Sequence, residues 1–471
     1  MFRKLSISGW KFFAAGEGIS AATGRDFGLA AIVGALVGFV AVAFYWMTEA
    51  GRHYILEEIG HHRSLLPSGE AAHSIFAVET FTEPRRWLLL FLPAIGAAAG
   101  ALLIRWLSNS RHARGTDSAV YSYHHLGGEI PASVLPVKSV ASVLTVGSGG
   151  SAGYEGPMTL LGAACGAALA RMLRLDARLK RMLMAAGLAA GIGALFRAPL
   201  AGAIFGAEIF YSSSDMEYET ILPGFVASAM AYTVFAGFFG WQPLFAMPNY
   251  TFENGMKLLP YVALAFVVAL GARFYISFFR GTEERFSRIR MPSWEKAAIG
   301  GLVTGLFGFF FPDILGTGYG IIQNAFSTHD ASAFVLEATR DLPFYGFLLF
   351  FFMKVIATCF TVGSGGSGGV FAPALVAGGS LGAACGIFFA RVLPDSMAVH
   401  PGAFALVGMA GFIAAAIRIP LTAIVMVSEI SGNHELLLPT MWTCGIAFWL
   451  NNGWSLYRSQ VHDREASPIH G

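Results

Sequence analysis

Two glycine-rich segments of this sequence combine residue types that can bind an anion. Residues 147 to 157 read GSGGSAGYEGP, and residues 363 to 373 read GSGGSGGVFAP. Each segment ends in a proline that is followed by apolar helix-forming sequence, and proline is favoured in the first turn of a helix. The glycines therefore precede two predicted helix starts, where free backbone N–H groups carry partial positive charge and attract anions.

Glu155 is a carboxylate in the first segment, and the second segment has Val370 and Phe371 in the equivalent region. A carboxylate beside an anion site competes with the anion for the same N–H groups. When it is ionised it would block the site, and when it is protonated or displaced it would let anions pass. Because ionisable groups at membrane depth usually serve function, we expect Glu155 to be a protonatable gate.

The composition indicates that these segments lie in a membrane protein. Of the 471 residues, 55% are hydrophobic and 13% are charged, whereas about 25% are charged in soluble domains. A net charge of +2 argues against a nucleic-acid partner. Runs long enough to span a bilayer occur at Phe27 to Thr48, Trp87 to Trp106, Ile221 to Gly240, Leu258 to Phe279 and Phe344 to Phe360.

Charge bands indicate the orientation of the chain. Residues 49–83 are predominantly acidic, whereas 105–114 and 171–181 are basic. By the positive-inside rule the N-terminus is cytoplasmic and the first long loop is outside. We expect a multi-pass protein of the cell membrane, of the bacterial inner-membrane type, with both termini in the cytoplasm.

The sequence contains an internal duplication. LGAACG occurs at 161–166 and again at 381–386, and residues 185–209 match 406–430, so that Glu208 corresponds to Glu429. The small residues of LGAACG favour close helix packing. Duplication in membrane proteins often produces inverted repeats whose broken helices meet at a midplane binding site.

The predicted fold is an all-α polytopic membrane protein with two inverted repeats of broken and tilted transmembrane helices. Its predicted parts are a cytoplasmic lead-in helix at 1–27, a transmembrane domain at 28–457 and a short cytoplasmic tail at 458–471. The repeats cover about 28–240 and 258–457. No separate cytosolic module is expected.

These residues resemble the CLC family of chloride channels and proton/chloride exchangers, in its bacterial type without cytosolic CBS domains. GYEGP at 153–157 is similar to the GxEGP gating motif, GGVFAP at 368–373 is similar to the GxFxP selectivity motif, and Tyr457 resembles the pore-lining tyrosine. The resemblance covers about residues 28 to 460. It implies a homodimer with a separate anion pathway in each subunit.

The resemblance also implies roles for individual residues. Glu155 would be the external gate, and a central anion would be coordinated by the backbone N–H groups of Val370 and Phe371 and by the Tyr457 hydroxyl. Thr116 replaces the coordinating serine of the first motif, and Ser118 takes that place if the register shifts. The rest of the predicted anion-binding set is Gly153, Tyr154, Gly156, Gly369 and Ala372.

Two departures from the family pattern affect the anion. Asp117 would oppose chloride unless it points away, pairs with Arg114, is protonated or caps a helix; an anion with its own donor, such as bicarbonate, could use it as an acceptor. Tyr154 stands where family members commonly have arginine, which should weaken the steering of anions.

A third departure affects protons. Ile209 follows Glu208, where family exchangers usually place a proton-relaying glutamate. An apolar side chain cannot carry a proton, although water could substitute for it. Because Glu208 has a counterpart in Glu429, we interpret both as structural caps or helix contacts.

We expect a chloride-type anion channel in which protonation of Glu155 gates passive conduction. The alternatives are a proton-coupled chloride or anion exchanger, and a CLC protein selective for bicarbonate, nitrate or fluoride. An inverted-repeat cation or solute transporter is more distant, since it would place more carboxylates along its path.

An enzyme is not expected, because GSGGSAGYEGP lacks the Lys-Ser/Thr ending of a phosphate-binding loop and does not fit a nucleophile elbow. We expect no cofactor and no metal, and we interpret His124 and His125 as a solvated pair. The expected partners are a small anion, protons, the bilayer and a second copy of the chain. The cysteines should be buried packing residues: Cys165, Cys359, Cys385 and Cys444.

Overall fold

The regular structure of this chain is helical. The computed structural model describes residues 19–71, 76, 83–107, 115–248, 250, 252, 255–327, 343–394, 397 and 399–470, with side chains from residue 24 onward. The helices are α1 (Ile19–Gly51), α2 (Ser68–Ala71), α3 (Arg86–Leu107), α4 (Thr116–His125), α5 (Val134–Gly147), α6 (Glu155–Met172), α7 (Ala177–Leu195), α8 (Pro199–Glu208), α9 (Tyr218–Phe239), α10 (Leu258–Arg288), α11 (Ser293–Phe310), α12 (Tyr319–Ser327), α13 (Pro343–Gly363), α14 (Phe371–Val392), α15 (Pro401–Ile417), α16 (Pro420–Ser431) and α17 (Leu437–Leu450). A π-helical segment, Arg52–Ile59, continues α1.

Six of the described helical segments are long and apolar enough to cross a membrane. All five predicted spans are among them, and the sixth is α14, whose apolar window is 89% buried. Four further apolar helices, α5, α15, α16 and α17, have only 10–17 residues. A helix needs about 20 residues to span a bilayer, so these four are the broken helices that the repeat predicted.

The ends of the predicted domains do not coincide with structural breaks. Residues 1–18 of the predicted lead-in lie outside the described residues, and α1 runs without interruption from Ile19 through the predicted boundary at residue 27. At the other end, Ser459 and His470 form hydrogen bonds with Asp117 and Glu217. The predicted tail at 458–471 therefore packs, as far as residue 470, on the helical domain.

Equivalent helices of the two halves pack against each other. α3 lies on α11, where a Cβ on Gly301 would be 2.4 Å from Pro93 O and a Cβ on Gly305 would be 2.0 Å from Leu90 O. α8 lies on α16 in the same way. Pairing of equivalent elements is expected when an approximate two-fold axis relates inverted repeats.

The two LGAACG sequences lie on equivalent buried helices, α6 and α14. A Cβ on Gly162 would be 2.1 Å from Gly187 O, and one on Gly382 would be 2.1 Å from Phe404 O. These contacts bring α7 onto α6 and α15 onto α14 at a distance that larger residues would prevent. Residues 402–417 of α15 are all buried, and α14 and α15 therefore form the centre of the second half.

Candidate functional site

The two glycine-rich segments meet at the centre of the molecule. Gly153 N–H donates to Gly369 O at 2.8 Å, and Gly369 N–H donates to Gly153 O at 2.7 Å. A Cβ on Gly369 would lie 2.6 Å from Gly156 N, so only glycine allows this approach. Because α6 begins at Glu155 and α14 begins at Phe371, the two helix N-termini lie side by side.

We call the place where Gly153 and Gly369 pair the crossing. Threonine hydroxyl groups of each half bind the glycine segment of the other half and so stabilise the crossing. Thr361 Oγ1 accepts a hydrogen bond from Ser151 N–H at 3.2 Å, and Thr145 Oγ1 accepts one from Ser367 N–H at 3.2 Å. Thr145 and Thr361, like Ser151 and Ser367, are 216 residues apart in the chain. The glycine segments are therefore anchored by two matching cross-repeat hydrogen bonds inside the protein.

Glu155 is 2% exposed and its carboxylate lies between the two helix starts. Its Oε1 accepts a hydrogen bond from the Tyr319 hydroxyl at 2.5 Å. Its Oε2 has no hydrogen-bond partner among the described residues, and a Cβ on Gly153 would be 1.9 Å from that oxygen. The backbone N–H groups of Glu155 and Ala372 also interact with the carboxylate. The carboxylate therefore occupies the N-terminal end of α14.

A cavity of about 260 Å³ reaches the place where the two glycine segments meet. It lies on the side of α10, α11 and Tyr457, away from α2. Its wall brings together five of the predicted anion-binding residues, namely Thr116, Gly156, Gly369, Val370 and Tyr457. Charged residues, namely Asp117, Glu283, Lys296 and Arg458, line the same cavity. The cavity therefore has charged and hydroxyl groups on a partly apolar wall, and it is large enough to hold several waters or a hydrated small anion.

Hydroxyl groups line the inner end of this cavity. Thr116 Oγ1 and Thr159 Oγ1 are 2.7 Å apart, and the Tyr457 hydroxyl interacts with Thr116. Ser118 is buried but is not one of the cavity-lining residues. Of the two alternatives for the hydroxyl position, Thr116 is the one that lies at the cavity.

The other predicted residues lie around this centre. The Phe371 ring packs between Phe196 and Phe205, with ring centroids 5.3 and 5.8 Å away. Tyr154 lies on the α2 side of the crossing and lines the small cavity that also contains Glu155. Predicted residues therefore surround Glu155 on both sides.

Asp117 is engaged by the chain's own backbone. Its Oδ1 accepts a hydrogen bond from Ser459 N–H at 2.9 Å, while Arg114, the proposed ion-pair partner, lies outside the described residues. The backbone N–H dipole partly screens the negative charge of the Asp117 carboxylate. This carboxylate therefore repels a nearby anion less than an unbound one would.

Glu208 and Glu429 each bind the start of a helix that belongs to the other repeat. Glu208 accepts hydrogen bonds from Leu421 N–H at 3.0 Å and Thr422 N–H at 2.8 Å, at the start of α16. Glu429 accepts from Leu200 N–H at 3.0 Å and Ala201 N–H at 2.7 Å, at the start of α8. Each carboxylate therefore satisfies the free N–H groups of the other repeat's helix.

Ile209 is fully buried within the apolar core. Its carbonyl oxygen accepts a hydrogen bond from Gln460 Nε2 at 2.9 Å. The position at which family exchangers usually carry a proton-relaying glutamate is therefore filled by packing contacts.

Two residues that support the surroundings of Glu155 were missed in the sequence. Tyr319 begins α12 after Gly318, just as Thr116 begins α4 after Gly115, and both glycines have a positive φ. The repeat could have indicated Tyr319, since the two helix starts correspond. Lys354 is fully buried in α13, where its Nζ donates to Ile314 O at 2.9 Å and Gly316 O at 2.6 Å, and so it holds the turn that precedes Tyr319.

The interpretation of His124 and His125 as a solvated pair was wrong for His124. His124 is 2% exposed, and its ring nitrogens lie 2.8 Å from Ser467 Oγ and 3.0 Å from Phe210 O. Within the described part of the chain, no group of three or more His, Cys, Asp or Glu residues could hold a metal. His124 is instead buried where the C-terminal segment packs on α4.

The helices, the crossing and the cavity define a membrane anion transporter of the CLC class. Residues 95–452 match the family model described as voltage gated chloride channel, so the chain belongs to this family. It is 31% identical over 362 residues to a chloride channel protein described as ClcB-like from Ralstonia nicotianae, covering 76% of this chain and 81% of that protein.

Other relatives are described as exchangers. The chain is 30% identical over 424 residues to the H(+)/Cl(-) exchange transporter ClcA of Yersinia pseudotuberculosis, covering 88% of this chain and 82% of the relative. The fold matches a CLC-type fluoride/proton antiporter with a TM-score of 0.75 and 21% identity, covering 95% of this chain and all of that one. It matches a slow cyanobacterial Cl-/H+ antiporter with a TM-score of 0.74 and 22% identity, over 91% and 94% of the two chains.

Proposed function

We propose that this protein exchanges chloride for protons across the membrane and that Glu155 is the group that alternately binds a proton and blocks the anion. The observation that carries the proposal is the position of the Glu155 carboxylate, which is buried between the 260 Å³ cavity and the small cavity on the α2 side. The relatives described as H(+)/Cl(-) exchange transporters support proton coupling. This replaces the passive channel as the leading interpretation.

Each part of the site has a role in this cycle. Anions enter the large cavity past Lys296 and Arg458 and reach the hydroxyl groups of Thr116 and Tyr457. The N–H groups at the start of α14 then stabilise the anion when Glu155 leaves them. Neither glycine segment contains Lys or Arg, and binding by main-chain dipoles and hydroxyls allows the anion to leave again.

Protons need a second route, because Ile209 cannot carry them. The large cavity contains Asp117 and Glu283 together with the inner hydroxyl groups, and water within it can bring protons close to the crossing. Passive conduction remains the second candidate, and the observation that favours it is the apolar packing of Ile209.

The native protein is proposed to be a homodimer with one pathway in each subunit. Leu200 at the start of α8 and Leu421 at the start of α16 are both exposed, as are Leu222 and Trp442 on the neighbouring helices α9 and α17. These residues form an apolar face shared by both repeats that a second copy could cover. The α2 face is proposed to be extracellular, with both termini in the cytoplasm.

The test is proton movement in liposomes. With purified protein and an imposed chloride gradient, we expect uphill proton transport by the wild type and chloride transport without protons by Glu155→Gln, because glutamine cannot be protonated. Glu58→Gln is the matched control, since the Glu58 side chain is 47% exposed, and it should retain coupling. Chloride flux without any proton movement in the wild type would favour the channel instead.

A further inference from the structure

A small cavity separates Glu155 from the α2 face of the molecule. Its volume is about 20 Å³, and its lining includes Glu49, Glu70, Tyr154, Glu155 and Tyr319. Roughly 10–15 Å³ is enough for one water if two or more polar partners are present. The cavity therefore has the size, and enough polar side chains on its wall, to hold about one water that contacts the carboxyl groups of Glu70 and Glu155.

A second cavity continues from this one toward the surface. It measures about 30 Å³, and Glu49, Glu70 and Tyr154 line it as well as the first. Ser64 Oγ, also on its wall, is buried without a hydrogen-bond partner among the described residues. Because a buried hydroxyl without a protein partner usually binds water, the two cavities form a hydrated route in which Glu70 stands between the surface and Glu155.

Of the two carboxyl groups shared by the cavities, Glu70 is the one suited to carry a proton. Arg52 donates to both oxygens of Glu49, at 3.3 and 2.6 Å, so the oxygens of this carboxylate are already engaged in an ion pair. Burial, and then the charge of Glu49, raises the pKa of Glu70 to about 8. Arg197 and Arg52 oppose this increase, and Glu155 adds to it.

A group with such a pKa can take up and release a proton near neutral pH. The titratable and charged groups that face Glu70 from the surrounding elements are Tyr45, Glu49, Arg52, Tyr154, Glu155, Arg197 and Tyr319.

We propose that Glu70 is a proton relay that supplies Glu155 from the α2 face through the water held in the small cavity. This role rests on the proposed function of Glu155 as the proton-binding gate. Protonated Glu70 donates its proton to the water, and the water passes one of its own protons to the Glu155 carboxylate. Glu70 is then left ionised and regains a proton from solvent through the second cavity, so that charge and atoms balance.

The relay explains how a gate that is only 2% exposed exchanges protons with solvent. The Tyr319 hydroxyl is hydrogen-bonded to Oε1 of Glu155. Glu70 borders both small cavities and is the group among their lining residues that we expect to change charge near neutral pH. Replacement of Glu70 should therefore slow proton delivery without changing the number of anions exchanged per proton, because the anion site on the other side of the crossing is untouched.

The test compares Glu70→Gln, Glu70→Asp and Glu58→Gln in liposomes between pH 6 and pH 9. Wild-type turnover should fall as the pH rises through about 8, because ionised Glu70 cannot donate. Glu70→Gln should be about a hundredfold slower and should lose this inflection, while its coupling ratio stays at the wild-type value. Glu70→Asp should recover part of the rate, and Glu58→Gln should match the wild type.

The outcomes separate this proposal from the proposed function. If the wild type couples protons to chloride and Glu70→Gln has the rate and pH profile of Glu58→Gln, the relay is wrong and the exchange stands. If the wild type moves no protons uphill, the exchange is wrong. The relay is then judged by whether Glu70→Gln slows the pH-dependent opening of the conductance. Size-exclusion profiles and thermal unfolding in detergent must first show that each variant is folded.

Discussion

The environment of one carboxylate controls this site. Glu155 is a negatively charged group placed at a helix N-terminus that also suits an anion, and Tyr319 donates to its Oε1. The hydroxyl stabilises the carboxylate in the blocking position, and a hydrogen bond to a charged group contributes about 1.5–3 kcal/mol. In the proposed exchange cycle, Tyr319 is therefore a positioning residue that sets how readily Glu155 leaves this position.

Removal of this hydroxyl should weaken the block. For Tyr319→Phe we expect anion flux at neutral pH to rise about tenfold to a hundredfold, because Glu155 loses the hydrogen bond from the Tyr319 hydroxyl. Tyr232→Phe is the matched control, since the Tyr232 hydroxyl donates to Trp241 O at 3.1 Å, away from the site. Chloride efflux from liposomes measures both, and an equal rate in the two variants would rule out the positioning role.

At the scale of the elements, short helices that end inside the protein need partners for their free N–H groups. α8 and α16 obtain them from Glu429 and Glu208, each supplied by the other repeat. Water cannot satisfy such groups in the hydrocarbon region, so the caps must come from the chain itself. The same arrangement explains why both repeats carry a glutamate at this position: each glutamate caps a helix of the other repeat.

Loss of either cap should lower stability by unequal amounts. Glu208 also accepts a hydrogen bond from Thr422 Oγ1 at 2.7 Å and is 2% exposed, whereas Glu429 is only half-buried. Since a lost cap costs about 0.5–2 kcal/mol, Glu208→Ala should lower the unfolding temperature in detergent more than Glu429→Ala. Glu208→Gln, which keeps an acceptor, should fall between Glu208→Ala and the wild type.

The same variants distinguish a cap from a proton path. A cap predicts that Glu208→Gln still couples protons to chloride. Loss of coupling in Glu208→Gln at wild-type stability would instead assign Glu208 to proton transfer.

At the scale of the whole molecule, neither half contains a complete site. Glu155 belongs to the first half, while Tyr319, the start of α14 and Tyr457 belong to the second. Backbone bonds between Gly153 and Gly369 and hydroxyl bonds from Thr145 and Thr361 join the halves at the centre. Folding of each half therefore depends on contacts that only the other half can supply.

This dependence can be tested by dividing the chain in the connection between α9 and α10. Residues 1–248 and 249–471 expressed separately should give no monodisperse protein, because each half would leave helix N–H groups and the glycine crossing without partners. Co-expression should restore a complex that elutes as the intact chain does and transports chloride. Monodisperse protein from one fragment alone would show that the halves are independent domains.

The sequence predicted most of what depends on local composition. Five of the six described helical segments that are long and apolar enough to cross a membrane follow from apolar length. The duplication follows from repeated sequence, and the two helix starts follow from the placement of proline and glycine. These signals are local or self-similar and need no knowledge of how the chain packs. The preference for a passive channel rested on Ile209 alone. An apolar residue at this position excludes proton transfer through its own side chain, but it does not exclude transfer by another route.

Contacts between distant parts of the chain could not be predicted in this way. Tyr319 reaches Glu155 across 164 residues, and Ser459 reaches Asp117 across 342. His124 is buried because Ser467 in the C-terminal segment returns to α4. Glu70 borders the same cavity as Glu155 because α2 is held by Leu244 and Arg197. The sequence by itself determined the class of membrane protein and singled out Glu155, whereas the tertiary structure decided what surrounds Glu155, because those partners depend on the three-dimensional path of the chain.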